Sequence, residues 1–259
     1  MRNWEAASLA FFVYTAVVAL LPRGGTPRAT RRTLAGSAVG LVLTAVAIRM
    51  PYLAVAHDWL LPPILLLAGY WTSGLLFVAP IASQERALLA LDRALRITAI
   101  ARRIPGWLAS ILEVAYVGVY PLIPIAYLIH LFTAPAPDPA HFWSVILITD
   151  FICFGALPWV QTRPPRAIDH ADPWNVPLRR VNVSLLGATS IQANTFPSGH
   201  AAEALAGALL VLEAPWPAVA VMCAAAVGVS AGAVFGRYHY AADAIAGWLV
   251  AVLVWLSLR

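Results

Sequence analysis

Apolar residues in this chain run in stretches of about twenty, broken by arginine, proline and short polar loops. That pattern leaves few folds open. Inside hydrocarbon every backbone N–H and C=O needs an internal partner, so a spanning stretch is a helix or a barrel strand. A length near 20 residues selects the helix. About eight such segments are present, at roughly 5–22, 33–50, 59–81, 107–133, 141–160, 198–213, 216–235 and 239–258. Only 11% of the residues are charged and mean hydropathy is +0.77, whereas a soluble domain carries about 25% charged residues. The expected fold is all-α, a polytopic membrane helix bundle of about eight transmembrane helices. The twenty prolines suit the ends of such helices. Only Arg2 precedes the first segment and no small-residue cleavage site follows it, so it reads as a spanning helix, not a signal peptide. Cys153 and Cys223 both fall within apolar runs, so no disulfide framework is expected.

Two regions interrupt the apolar pattern. From Ser83 to Arg103, Leu88, Leu89, Leu91, Leu95 and Ile97 alternate with Arg86, Arg93, Arg96, Arg102 and Arg103. This reads as an amphipathic helix on the membrane surface. Residues 161–196 form the one long polar segment and lead directly into Phe196-Pro197-Ser198-Gly199-His200. The net charge of +5 comes entirely from arginine, because the chain holds no lysine. Such a balance suits contact with anionic headgroups and gives no sign of nucleic acid.

The chemistry concentrates at two helix starts. Pro197 suits the first turn of a helix, and the N–H groups of Ser198, Gly199 and His200 would then face outward beside the positive end of the dipole. Gly199 permits close approach of an anion, and His200 can donate a proton to a leaving oxygen. The second start is Gly236-Arg237-Tyr238-His239-Tyr240-Ala241-Ala242-Asp243. Asp243 lies four residues after His239, on one helix face, and can fix the tautomer of the imidazole. Two spans separate these starts, so both face one side of the membrane. Arg163-Pro164 ends the fifth segment on that side, where a guanidinium can clamp phosphate oxygens. Arg237 can neutralise phosphate or snorkel to the interface.

These motifs resemble those of the type 2 phosphatidic acid phosphatase superfamily, which carries K-x6-R-P, P-S-G-H and S-R-x5-H-x3-D. The second is complete at Pro197, Ser198, Gly199 and His200. The third retains His239 and Asp243, and the first retains Arg163 and Pro164. Ala156 stands where the family lysine would fall, and Ala233 where the arginine of the third motif would fall. Arg237 and Arg166 are candidate substitutes, and the third motif is similar to the inositol phosphorylceramide synthase branch. The resemblance spans residues 59–258. It implies a six-helix core over 59–259 with additional transmembrane helices in 1–58. It further implies His239 as nucleophile, Asp243 as its orienting group and His200 as proton donor. Arg163, Ser198 and Gly199, with Pro197 beside them, would bind phosphate.

The implied activity is phosphatase action on a lipid phosphate, with no cofactor and no metal, in a multi-pass protein of a bacterial inner or cell membrane. A phosphotransferase with an alcohol acceptor and a non-enzymatic membrane protein with decayed motifs are the alternatives. Asp169, His170 and Asp172, with the motif histidines, are the residues a metal would need. Within the spans, Glu113 and Asp150 are expected to pair across helices, and Glu203, one turn past His200, to tune it; Arg49 is a further intramembrane charge. Sidedness divides the arguments. Arg23, Arg28, Arg31 and Arg32 join the other loop arginines on one face, which the positive-inside rule makes cytoplasmic; the resemblance places the motif loops outside.

Overall fold

The computed structural model describes residues 1–22, 25–50, 52, 55–169 and 172–259. Arg23, Pro51 and His170 lie outside the described residues. Twelve α-helices are present among those described: α1 Asn3–Leu20, α2 Pro27–Arg49, α3 Leu61–Gly74, α4 Ala82–Ala94, α5 Ile97–Ala101, α6 Gly106–Val117, α7 Val119–Thr133, α8 Pro139–Gly155, α9 Pro177–Thr189, α10 Gly199–Leu210, α11 Trp216–Phe235 and α12 Ala241–Ser257. A π-helical turn, Ala56–Leu60, leads into α3, and a 3-10 turn, Pro165–Ala167, precedes α9. The fold is the all-α bundle that the sequence predicts. Proline and cap chemistry set several starts. Thr26 accepts from the amide of Ala29 ahead of Pro27, and Asp138 accepts from Ala140 and His141 ahead of Pro139.

α1, α2 and α11 are each long and apolar enough to cross a membrane unaided. α8 and α12 are apolar but shorter, at 17 residues each. The segment 107–133, expected as one helix, is two. α6 and α7 meet at Gly118 with a bend of 64°. Pro121 explains the break: it offers no N–H to the Val117 carbonyl, and its ring crowds that carbonyl. The polar stretch 161–196 is also more ordered than its composition suggests, since it contains α9 and an antiparallel bridge between Thr162 and Asn194. The expected surface helix is broken into α4 and α5 by Arg96, which takes a left-handed conformation at φ 56°. Leu89 and Ile97 are buried as expected, but Leu91 and Leu95 are exposed, and Glu85 and Asp92 are buried instead.

α10 is the central helix and packs against α7, α8, α11 and α12. Its inner surface is almost all small: Ala201, Ala202, Ala204, Ala206, Gly207 and Ala208 are buried. Small faces let helix backbones approach closely, which is how apolar helices gain contact when lipid is as apolar as they are. Phe11 of α1 stacks on Phe151 of α8 at 4.3 Å, so the N-terminal helices share the core with the rest. A second close approach joins α6 to α11, where a Cβ on Gly232 would lie 2.4 Å from the Leu112 carbonyl oxygen. Backbone cannot yield as a side chain can, so Gly232→Val should force α6 and α11 apart and cost about 1–3 kcal/mol. Thermal unfolding of the detergent-purified protein tests this; an unchanged midpoint would refute the tight contact.

Candidate active site

The loop between α11 and α12 is folded back by its own backbone. The amides of Tyr238 and His239 both donate to the Ala233 carbonyl, at 2.8 and 2.9 Å, and Arg237 takes φ 61° to make the turn. His239 Nδ1 then lies 3.3 Å from Asp243 Oδ2, which also accepts the Tyr240 amide at 2.9 Å. The sequence expectation of one shared helix face needs correction here. α12 starts at Ala241, so His239 precedes the helix, and Asp243 is the third helical residue acting as a capping box. The pair forms across the helix start. With Nδ1 toward the carboxylate, Nε2 is the free nitrogen of His239.

The Pro-Ser-Gly-His start is also shifted by one step from expectation. α10 starts at Gly199, Ser198 is its N-cap, and Pro197 lies just outside the helix. Ser198 Oγ accepts from Ala201, and the Ser198 amide is occupied by the Asp243 carbonyl at 2.9 Å. The amides of Gly199 and His200 occupy the first helical positions, where no intrahelical acceptor exists, and remain suited to an anion. The Ser198 to Asp243 bond ties the two motif helices together. Gly247 makes it possible, because a Cβ there would lie 2.5 Å from the Ser198 carbonyl oxygen.

These contacts bring the two histidines close together, with their rings tilted by 47°. The rings of His200 and His239 are 6.1 Å apart between centroids, and Nε2 of His200 is buried with no hydrogen-bond partner. Between them is a small cavity of about 30 Å³, lined in part by Pro164, Arg166, Ser190, Thr195, His200 and His239. The guanidinium of Arg166 stands 5.2 Å over the Tyr238 ring. Tyr238 stacks on Tyr116 at 4.1 Å, and Tyr116 stacks on His200 at 5.6 Å. Ala233 packs beside Tyr116 and Tyr238, so aromatic rings fill the space around the missing family arginine.

The other two arginines singled out from sequence point elsewhere. Arg163 makes a two-pronged contact with Glu85, Nε to Oε1 at 3.0 Å and Nη2 to Oε2 at 2.9 Å, and its amide donates to the same Oε1. Arg237 is buried against Asp92 at 2.5 Å, with Asp169 at 3.9 Å. Asp92 also accepts the Ala241 amide at 3.0 Å and so caps α12. Glu85 and Asp92 are seven residues apart on α4 and share one face of it. They hold the Arg-Pro loop and the His239 loop together. Sequence reasoning missed both acids, although that i,i+7 spacing amid arginines was the available signal. Glu113 is the hub of a larger network than the expected cross-helix pair, for it accepts from Trp174, Asn182, Tyr238 and Arg179. Glu113 does bond across helices as expected; Asp150 does not, for both its carboxylate oxygens are buried without a partner. Among the described residues no three His, Cys, Asp or Glu are grouped to hold a metal; His170 lies outside them.

Electrostatics distinguishes the two α4 acids. Donation from Arg163 holds the Glu85 carboxyl below its ordinary pKa, whereas burial pushes Asp92 up despite the Ala241 amide and Arg237. A depressed folded pKa means that the Glu85 clamp is complete above the usual carboxylate range. It is lost as pH falls through the lower folded value. Glu85→Gln should therefore lower the thermal midpoint at pH 7 and converge on the parent protein once pH falls below the depressed value of the Glu85 carboxyl. Equal midpoints at pH 7 would show that the clamp does not hold the loop.

No curated protein and no solved structure matches the chain. The family model of the PAP2 superfamily matches residues 139–259, the stretch that holds Arg163, His200, His239 and Asp243. Over that stretch, a little under half of the chain, the sequence is similar to the PAP2 superfamily, whose members are generally phosphatases and act on phosphate esters.

Proposed function

We propose that this is a multi-pass membrane enzyme that hydrolyses a lipid phosphate through a phosphohistidine, without a metal. The observation that carries the proposal is the opposed pair His200 and His239 across a cavity bordered by Arg166. His239 Nε2, made more basic by Asp243 at Nδ1, attacks phosphorus as the bond to the lipid oxygen breaks. His200, on the other side of the phosphoryl group, passes a proton to that leaving oxygen. A bound phosphate favours the protonated form of His200, because its negative charge lies beside the imidazole. Water then attacks the phosphohistidine, His200 takes its proton, and the nitrogen–phosphorus bond breaks to release inorganic phosphate. Charge on the equatorial oxygens is met by Arg166 and by the Gly199 and His200 amides at the α10 start.

The geometry favours Arg166 over Arg163 and Arg237 as the phosphate cation. It alone of the three borders the cavity, while the others are engaged by Glu85 and Asp92. Arg163 then acts by holding its loop in place.

Three variants and one chelation test this reading on the purified protein, with phosphate release as readout. His239→Ala should abolish turnover. Asp243→Asn and Arg166→Ala should each reduce kcat by about 10²-fold or more, with the proteins still folded. Activity should persist in excess EDTA. Full turnover by His239→Ala would end the phosphohistidine mechanism, and loss on chelation restored by a divalent ion would end the metal-free one. Formation of a phosphorylated alcohol from an added acceptor, without release of inorganic phosphate, would identify a phosphotransferase.

A further inference from the structure

The helix ends of this protein fall on two faces, and contacts between loops fix which ends share each one. On the face of the candidate site, the amides of Val78 and Ala79, just past α3, donate to Gln161 Oε1, and the Ile81 amide donates to the Gln161 carbonyl. Gln161 stands two residues before Arg163, which Glu85 of α4 holds. The start of α2 belongs here too, because Ala29, Thr30 and Thr33 line one small cavity with Leu75, Leu76 and Val78. The opposite face gathers the other ends. The Trp4 amide of α1 donates to Ser144 Oγ of α8, Arg2 pairs with Asp58, and the Trp143 indole donates to the Asp58 carbonyl. Asp138, which caps α8, lines a cavity there with Glu213 and Arg259.

Arginine divides unequally between these faces. The site face exposes Arg28, Arg31 and Arg32 at the start of α2, Arg86 and Arg93 on α4, and Arg96 just past it. It also exposes Arg102 and Arg103 ahead of α6 and Arg180 on α9. The cavity lined by the two histidines is bordered by Arg166 and by none of these nine. Nor do they clamp the loops, for Glu85 is engaged by Arg163, Asp92 by Arg237, and Glu113 and Asp172 by Arg179. Among the described residues the opposite face carries Arg2, Arg49 at the end of α2, and Arg259. Against them stand Glu5, Asp58, Asp138 and Glu213.

An arginine that binds substrate or clamps a loop is placed by that task and says nothing of orientation. The nine surface arginines have neither task. Short loops beside helix ends are where positive charge orients a membrane protein, with the richer side in the cytoplasm. Arg28, Arg31 and Arg32 occupy the first turns of α2, and Arg102 and Arg103 lie just before α6, as that rule requires. Trp107, 67% exposed at the start of α6, and Trp216, 80% exposed at the start of α11, mark the headgroup levels of the two faces. We infer that the candidate site opens on the cytoplasmic side of its membrane, with the arginine face set among the anionic headgroups of that leaflet. This sets aside the outward placement implied by the motif resemblance. The helix that meets the leaflet also holds the site, since α4 exposes Arg86 and Arg93 and buries Glu85 and Asp92. On the hydrolase reading above, phosphate is released into the cytoplasm.

Single cysteines test the placement without any substrate. In a chain carrying Cys153→Ala and Cys223→Ala, Asn175→Cys marks the site face and Ala136→Cys the opposite one; both positions are exposed. In intact cells of a bacterial host an impermeant maleimide should label Ala136→Cys, and should label Asn175→Cys only after the membrane is opened. Labelling of Asn175→Cys in intact cells overturns the inference. Trypsin repeats the test on the parent chain, whose folding no substitution disturbs. Cleavage after Arg102 or Arg103 should occur in sealed inverted vesicles, and cleavage there in intact spheroplasts overturns the inference. A short-chain lipid phosphate that cannot cross the bilayer adds the functional arm. Inverted vesicles should hydrolyse it and sealed right-side-out vesicles should not; the opposite result overturns the placement. Hydrolysis by neither, even in detergent, ends the hydrolase reading and leaves the placement to the labelling.

Discussion

Two carboxylates on one short surface helix hold the candidate site together. Glu85 and Asp92 reach inward from α4 to Arg163 and Arg237, which flank the two loops that carry the motif chemistry. Asp92 further accepts the first amide of α12, so one side chain fixes both the turn before His239 and the helix after it. Buried ion pairs contribute little net stability, since desolvation offsets much of their attraction. Their effect here is positional. Removing one partner of a pair as enclosed as Asp92 and Arg237 costs roughly 3–5 kcal/mol, so the loop has no alternative position of comparable energy. The histidines inherit that rigidity.

The same economy of backbone contact appears at the motif helices. Ser198 donates to the Asp243 carbonyl, and Gly247 lets α12 lie against the Ser198 carbonyl. His200 and His239 are far apart in sequence, yet each is within four residues of the Ser198 to Asp243 bond. Their 6.1 Å separation therefore depends on one interhelical hydrogen bond and one missing methyl group, with the alanine face of α10 allowing the approach.

How much of this the sequence discloses depends on the range of the interaction. Apolar runs, proline-marked starts and the His239 to Asp243 spacing are local, and they predict the helices and the pair. The Gly118 bend is local too, and Pro121 was its sign. What stays hidden is long-range. An arginine beside a motif looks like a phosphate ligand until the acid that engages it is known, and Glu85 and Asp92 lie about 80 and 145 residues away in the chain. Asp150 is the converse case. Its sequence suggested a cross-helix partner, and the fold supplied a cavity.

The replaced family cations fit this picture. With Ala156 and Ala233 in place of lysine and arginine, two positive charges are absent from the motif positions. Rings of Tyr116 and Tyr238 occupy the neighbourhood of Ala233, and Arg166 lies over Tyr238. Stacking on a ring holds a guanidinium in place without neutralising it, unlike an ion pair with a carboxylate. Arg163 and Arg237 are paired with the acids of α4, while Arg166 borders the cavity that both histidines line. On the proposed function, the positive field there comes from a cation the motif does not specify, stacked on an aromatic ring that the motif does not specify either.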